Sequence, residues 1–186
     1  MVVDVAVPSL DDPDAFADAE AAASHLRSAL ERVGFLVERD FEHWVPERTA
    51  RGVGVVRIGR LSVTTADRLW RVLDRCSTLG LRVSRAAEAV LRSPARVTAR
   101  HRMAQVPDNA RKAAGRLRVE LMRVGFVVRD DFGGCVADVT ASGLGLVLLG
   151  RLPAPTAHML AELITRLLPA ETGSATAVPT GVGIRP

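Results

Sequence analysis

The sequence predicts an α+β fold built from a tandem duplication of one β-α-β-β-α unit. Three observations lead to this prediction. A long segment recurs at a fixed spacing, each copy has apolar residues at helical spacing that end at a glycine, and each copy then has two short, largely apolar segments typical of strands. This order of elements favours a split-βαβ sandwich, with helices packed on one face of an antiparallel sheet. We expect the two copies to form a pseudo-two-fold pair.

The internal repeat has an offset of 91 residues. Residues 33–41, VGFLVERDF, reappear as residues 124–132, VGFVVRDDF. The same offset relates the Gly-Arg-Leu at residues 59–61 to the Gly-Arg-Leu at residues 150–152. The register holds without a gap from about residue 22 to residue 75. Chance does not produce agreement over such a length, so the pattern indicates a duplication.

Each copy is predicted to contain the same elements in the same order. An Asp-Pro pair starts the first helix at Pro13, and Gly34 and Gly125 follow the long helices as C′ glycines. The remaining predicted elements are strands at 2–7, 35–41 and 52–58 and a helix from Thr64 in the first copy, a short strand at 81–83, a brief helix at 84–93, and strands at 95–102, 126–132 and 143–149 and a helix at 156–169 in the second copy.

These elements predict two α+β repeats, at residues 1–83 and 95–169, joined by a connector at 84–94. Residues 170–186 are rich in Pro, Gly, Ser and Thr, which predicts an extended or mobile tail. The 48% of hydrophobic residues excludes a disordered chain, and the absence of an eighteen-residue apolar run predicts no membrane partner. With no secretory signal pattern and few cysteines, we expect a cytoplasmic location.

No motif in the sequence predicts catalysis, a metal or a cofactor. The glycines at residues 52–59 lie within a predicted strand, whereas a dinucleotide fingerprint places them between a strand and a helix. We assign them to close packing or a bulge. Cys76 and Cys135 cannot form a four-thiolate zinc site, and no two of the four histidines have metal-ligand spacing. We therefore expect no catalytic residues, no metal and no cofactor, and favour a non-enzymatic function.

Four polar residues that recur in both copies are candidates for a shared role. They are Asp40 and Asp131, which end a predicted strand, and Arg60 and Arg151, which lead to a helix. One hypothesis is structural, with an Asp–Arg pair in each copy that links the hairpin to the helix. The alternative is a ligand pocket built twice, in which Arg60 and Arg151 bind an anion.

A difference between the copies predicts an interaction surface. The strand at 52–58 has a polar residue, Arg57, at the position where the strand at 143–149 has Leu148. A strand that is apolar on both faces is either central in a sheet or covered by a partner. We therefore expect a homo- or hetero-oligomer that uses Leu144, Leu146, Leu148 and Leu149.

The charge is distributed unevenly along the chain. Residues 1–20 carry six acidic and no basic residues, whereas residues 82–118 carry ten basic and two acidic residues. A row of cations on one strand face can follow phosphates, but this strip has no aromatic side chain on which bases stack. The acidic N-terminal residues can also neutralise it. The candidate contacts to an anion or nucleic acid are Arg92, Arg96, Arg100, Arg102, Arg111 and Lys112.

The leading prediction is a non-enzymatic binding or regulatory module that acts through protein–protein contacts, with itself or with another protein. The alternative is a nucleic-acid-binding protein that uses the basic strip at residues 92–118. A second alternative is a small-molecule sensor or an enzyme with a site between the repeats.

Overall fold

The computed structural model describes residues 13–50, 52–83, 106–132 and 134–168. Within these ranges the chain is α+β, with a four-stranded antiparallel sheet, four long helices and two single-turn helices. None of the described helices combines the length and the hydropathy that crossing a membrane requires. The strands predicted at 2–7 and 95–102, the helix predicted at 84–93, the connector and the tail lie outside the described residues.

Each element of the first half has a counterpart of the same type in the second half. The first half contains α1 (Pro13–Arg32), α2 (Val37–Asp40), β1 (Val45–Arg48), β2 (Gly54–Ser62) and α3 (Val63–Thr78). The second half contains α4 (Asp108–Arg123), α5 (Val128–Asp131), β3 (Val136–Val139), β4 (Gly145–Pro153) and α6 (Ala154–Leu167). From α2 to α3, each element begins 91 residues before its counterpart.

The sheet has the strand order β1-β2-β4-β3, so β2 and β4 are central and β1 and β3 lie at the edges. The pairing of β2 with β4 is antiparallel, with Gly59 opposite Gly150 at its middle and a bulge on either side of Gly59. Both glycines have positive φ, 69° and 80°, which other residues adopt only with strain. The glycines at the centre of the sheet therefore permit the bulge, as the sequence predicts.

One hydrophobic core lies between the sheet and the helices. Its strand residues include Val56 and Ile58 on β2 and Val147 and Leu149 on β4, all of them buried. On the helical side, α1 packs against α6 and α3 packs against α4. Each helix pair thus joins one helix from each half, so the described parts of the two halves share a single core.

The strands predicted at 35–41 and 126–132 are wrong, because these residues form the single-turn helices α2 and α5. The Leu36 N–H donates to Asp40 Oδ2 at 2.9 Å, and the Val127 N–H donates to Asp131 Oδ2 at 2.6 Å. Each bond joins residues four apart and stabilises a helical turn in place of an extended chain. The edge strands β1 and β3 instead occupy the segments predicted as loops, so the described unit is α-α-β-β-α.

The predicted ends of the long helices are confirmed. Gly34 and Gly125 follow α1 and α4 with φ of 91° and 104°, which is the left-handed conformation of a C′ glycine. The central strands β2 and β4 extend four residues beyond their predicted ends at 58 and 149, to Ser62 and Pro153.

Candidate functional site

A groove of about 470 Å³ runs between helix α4 and the edge strand β3. Its apolar lining includes Ala114, Val119 and Met122 on α4 and Val136 and Ala137 on β3. Val119 and Met122 are 45% and 51% exposed, and they lie outside the buried stripe by which α4 packs on the core. The groove therefore offers apolar surface to solvent, as small binding sites in proteins do.

The first half has a bulky side chain at the position where the groove has a small one. Trp44, 91 residues before Cys135, packs against the core and meets Phe41 edge-on with ring centroids 5.4 Å apart. Cys135 is buried, and its Sγ lies 3.5 Å from the carbonyl oxygen of Ala114 on α4. A thiol fills far less space than an indole, so the second half has less side-chain volume at this position, where Cys135 lines the groove.

The outward faces of the two corresponding helices also differ. The counterparts of Val119 and Met122 on α1 are Ser28 and Glu31, both exposed. Helix α1 thus has polar residues on solvent where α4 has apolar residues beside the groove. The second half alone carries this apolar surface.

The rim of the groove is cationic. Arg111 and Arg118 line it. The counterpart of Arg118 is Arg27, whose Nη1 lies 2.8 Å from Glu38 Oε1. The counterpart of Glu38 is Arg129, so Arg118 lacks the carboxylate that Arg27 contacts. Arg111 Nη2 lies 3.2 Å from Asp108 Oδ1 in an exposed ion pair, so Arg118 is the lining guanidinium group that differs from its paired counterpart in the first half.

No protein-family model matches the chain. Comparisons with curated proteins and with solved structures also find no match. The interpretation of the groove therefore depends on its own geometry and charge.

The four leucines predicted as an interaction surface do not share one face of the molecule. Leu149 is buried in the core between sheet and helices, which removes it from any surface. Leu146 and Leu148 alternate with it on β4, so they lie on the outer face of the sheet, where both are partly exposed. Leu144 lies in the turn between β3 and β4 and is 66% exposed. The predicted surface is thus reduced to three residues.

Ion pairs on the outer face of the sheet involve Arg60 and Arg151. Arg60 Nε lies 3.2 Å from Asp138 Oδ2 on β3, and Arg151 Nε lies 3.3 Å from Glu47 Oε2 on β1. Each guanidinium group reaches across the neighbouring central strand to an edge strand. Because both groups already contact carboxylates, the arrangement does not favour an anion pocket.

The Asp–Arg pair predicted between hairpin and helix is wrong for Asp40. The Asp40 carboxylate is buried and accepts a hydrogen bond at 3.1 Å from Arg68 on α3, rather than from Arg60. Asp131 is buried as well, where it accepts the Val127 N–H. Both aspartates thus stabilise the turn between a long helix and a single-turn helix.

The basic strip is described only in part. Arg92, Arg96, Arg100 and Arg102 lie outside the described residues. Arg111 and Lys112 are exposed on α4, and Arg116 on the same helix contacts Asp67 at 2.6 Å and lies 5.7 Å from the centre of the Trp70 ring. The described cations therefore lie along a helix, and one of them is engaged in helix packing.

Within the described ranges, no three His, Cys, Asp or Glu side chains are grouped so that they can hold a metal ion. His25 on α1 and His158 on α6 approach each other, with their Nδ1 atoms 3.2 Å apart. Two nitrogens alone do not make a structural zinc site, which has four ligands.

We expect both thiols to be unreactive in the folded protein. Burial raises the pKa of Cys76 to about 11 and that of Cys135 to about 12. At pH 8 about one thiol in a thousand or fewer is then a nucleophilic thiolate. Ellman's reagent should react slowly with the native protein at pH 8 and quickly once a denaturant is added. Rapid reaction of one thiol equivalent in native Cys76→Ser would show instead that Cys135 is accessible from the groove.

The sequence alone does not predict the groove, because one of its walls, β3, lies in a segment predicted as a loop. A signal was nevertheless present in the alignment of the two copies. At the 91-residue offset, the large Trp44 is replaced by the small Cys135. The charged Glu31 is likewise replaced by the apolar Met122. Residues that differ between copies, rather than those retained, indicate where the second half has a separate role.

Proposed function

We propose that the chain is a non-enzymatic binding or regulatory module that acts through protein–protein contacts, with a second copy or with another protein. The observation that carries this proposal is a group of three leucines with exposed surface, Leu144, Leu146 and Leu148, which lies beside the Arg60–Asp138 ion pair in the second half. Leu148 occupies the position at which the first half has Arg57, and Arg57 contacts the Glu47 carboxylate. The second half thus has a partly exposed leucine where the first half has an ion pair. Clustered exposed apolar residues are typical of a surface that a partner covers.

We further propose that the two halves derive from a tandem duplication and are related by a pseudo-two-fold axis at the centre of the β2–β4 pair. The sheet register supports this proposal. Val56 lies opposite Leu152, and their counterparts at the 91-residue offset, Val147 and Leu61, lie opposite each other. One copy can then diverge at its surface to bind a partner while both copies supply the common core.

We place this module in the cytoplasm, where thiols remain reduced. Both cysteines are free and buried, which fits that compartment. Binding of nucleic acid by the strip at 92–118, and a small-molecule site between the halves, stay predictions, since no observation on the described residues favours either.

The proposal predicts that Leu148→Arg lowers the mass of the assembled protein. The added guanidinium group restores the charge that the first half carries at Arg57, with Asp138 in the place of Glu47. Removing this charged group from water opposes burial of the surface in a contact. Light scattering after size exclusion should give a multiple of the 19.9 kDa chain mass for the native protein and a smaller mass for the variant.

The matched control is Leu79→Arg, which adds the same side chain at an exposed leucine after α3. It should leave the mass unchanged. Equal masses above that of one chain for native protein and Leu148→Arg would exclude this face from the contact. A native mass of one chain would exclude self-assembly, so that the partner must be another protein.

A further inference from the structure

We infer that the groove between α4 and β3 binds an aromatic side chain carried by an acidic segment of a partner protein. The inference depends on the proposed function, because it names the chemistry of the protein that the module binds. Leu148 does not line the groove, although its neighbour Val136 does, so substitutions at Leu148 and on α4 test the two proposals separately. Three observations on the groove carry it.

The first observation is the aromatic residue at the corresponding position of the first half. There the chain supplies its own indole, Trp44, which packs on the core and on Phe41. In the second half Cys135 leaves this space open, with Val119 and Met122 beside it. A groove of about 470 Å³ has room for an indole or phenyl ring, and a methionine sulfur makes favourable contacts with aromatic rings. The groove is thus suited to bind an aromatic ring of a partner at the position where the first half has its own Trp44.

The second observation is the charge around the groove. Arg111 and Arg118 line it, and Arg129 is exposed on α5, the helix that follows α4. Arg111 contacts Asp108 in an exposed ion pair, so Arg118 and Arg129 supply the excess positive charge. The counterparts of Arg111 and Arg129 in the first half are Glu20 and Glu38, so the sign of the charge is reversed at both positions. Potentials of opposite sign favour association and exclude partners of like charge. Guanidinium groups beside an aromatic ring also add cation–π attraction. The ligand that this rim favours carries carboxylates on both sides of its aromatic residue.

The third observation is the position of β3 at the edge of the sheet. In the order β1-β2-β4-β3, only one side of β3 pairs with a strand within the described ranges. Val136 and Ala137 on this strand also line the groove. An extended peptide can form main-chain hydrogen bonds with such an edge while one of its side chains enters the adjacent groove. This geometry favours an extended segment rather than an isolated aromatic molecule.

The experiment measures binding of labelled peptides to the full-length protein by fluorescence polarisation. The probe is a fluorescein-labelled peptide of alternating Glu and Ser with a single central Trp. One matched peptide has Ala at the centre, and a second has Lys at every Glu position. Val119→Ser with Met122→Glu is the protein variant, because it transfers two exposed residues of α1 to α4 and so preserves the core. Leu79→Ser, which removes an exposed leucine distant in the chain, is the matched control.

We expect the native protein and Leu79→Ser to bind the Trp peptide equally. We expect the Ala peptide and the double variant each to weaken binding by about tenfold or more, as loss of a central aromatic anchor does. The Lys peptide should not bind, and added salt should weaken binding of the Trp peptide.

Equal affinity for the Trp and Ala peptides, equal affinity of the native protein and the double variant, or no binding by the native protein would each overturn the inference. A native dimer that the double variant alone dissociates would overturn it too, because the groove would then be filled by a second copy. The three peptide-binding outcomes leave the expected effect of Leu148→Arg on the assembled mass unchanged, so a failure of this inference is distinguishable from a failure of the proposed function.

Discussion

Gly54→Ala should destabilise the protein more than any other single-methyl addition proposed for this chain. A Cβ atom on Gly54 would overlap the carbonyl oxygen of Ala15 in α1 and lie 3.2 Å from the Ala19 Cβ. The obstacle is main chain, so the whole of α1 has to move away from β2. Added atoms in a packed core cost about 1–3 kcal/mol and occasionally more, and we expect about 3 kcal/mol or more here. Urea unfolding followed by circular dichroism measures this loss.

Two other glycines provide graded controls for this substitution. At Gly145 on β4, an added Cβ would lie 2.8 Å from the Ala110 Cβ, which moves only with the main chain of α4, but this overlap is smaller than the overlap at Gly54. Gly145→Ala should therefore cost about 1–2 kcal/mol. At Gly115 on α4 nothing lies within 4 Å, and alanine should stabilise the helix by about 0.5–1 kcal/mol. If Gly54→Ala were no more harmful than Gly145→Ala, the close contact of α1 with β2 would be contradicted.

These glycines show how far local sequence predicts the fold. The 91-residue repeat, the helical spacing and the C′ glycines Gly34 and Gly125 were sufficient to predict α+β and the ends of the long helices. They could not locate β1, since Pro46 and a short stretch of mixed polarity resemble a loop. Proline is tolerated there because β1 is an edge strand, and edge position is a property of the assembled sheet.

The same limit explains the error at residues 35–41. Phe35, Val37 and Phe41 lie at the even spacing of strand residues, yet Leu36 and Arg39 break the alternation and the segment is too short for this spacing to decide. The deciding interaction is the bond from the Leu36 N–H to the Asp40 carboxylate, which closes a helical turn. Whether this carboxylate is buried, and which cation it contacts, depends on α3. That helix begins 23 residues after Asp40, the last residue of α2. The residues of the groove could not be predicted for a similar reason, because the groove exists only once α4 and β3 lie side by side.

The second large effect is expected at Arg68, the cation that Asp40 contacts. Arg68 Nη1 donates to Asp40 Oδ2 at 3.1 Å, and Nη2 donates to the Gly34 carbonyl oxygen at 2.5 Å. Its guanidinium group also lies 4.5 Å from the centre of the Phe35 ring. One side chain on α3 thus holds the end of α1 and the turn of α2. Arg68→Met should cost about 2–3 kcal/mol, below the usual 3–5 kcal/mol for breaking a buried ion pair because Arg68 is partly exposed.

Methionine is the informative replacement, because Met159 occupies the corresponding position of α6. The second half therefore already contains this residue in the same kind of helix, and loss of helix propensity or of packing volume should contribute little. Most of the cost then comes from the Asp40 carboxylate, which stays buried without its cation.

A double-mutant cycle separates that contribution from the loss of the other Arg68 contacts. Asp40→Asn keeps an acceptor for the Leu36 N–H but removes the charge, so Arg68→Met should be less harmful in the Asn background. We expect a coupling free energy of about 1–2 kcal/mol between the two substitutions in urea unfolding. Strict additivity would mean that the Gly34 and Phe35 contacts account for the effect. A positive coupling would show that the ion pair between Asp40 and Arg68 itself stabilises the turn of α2 against α3.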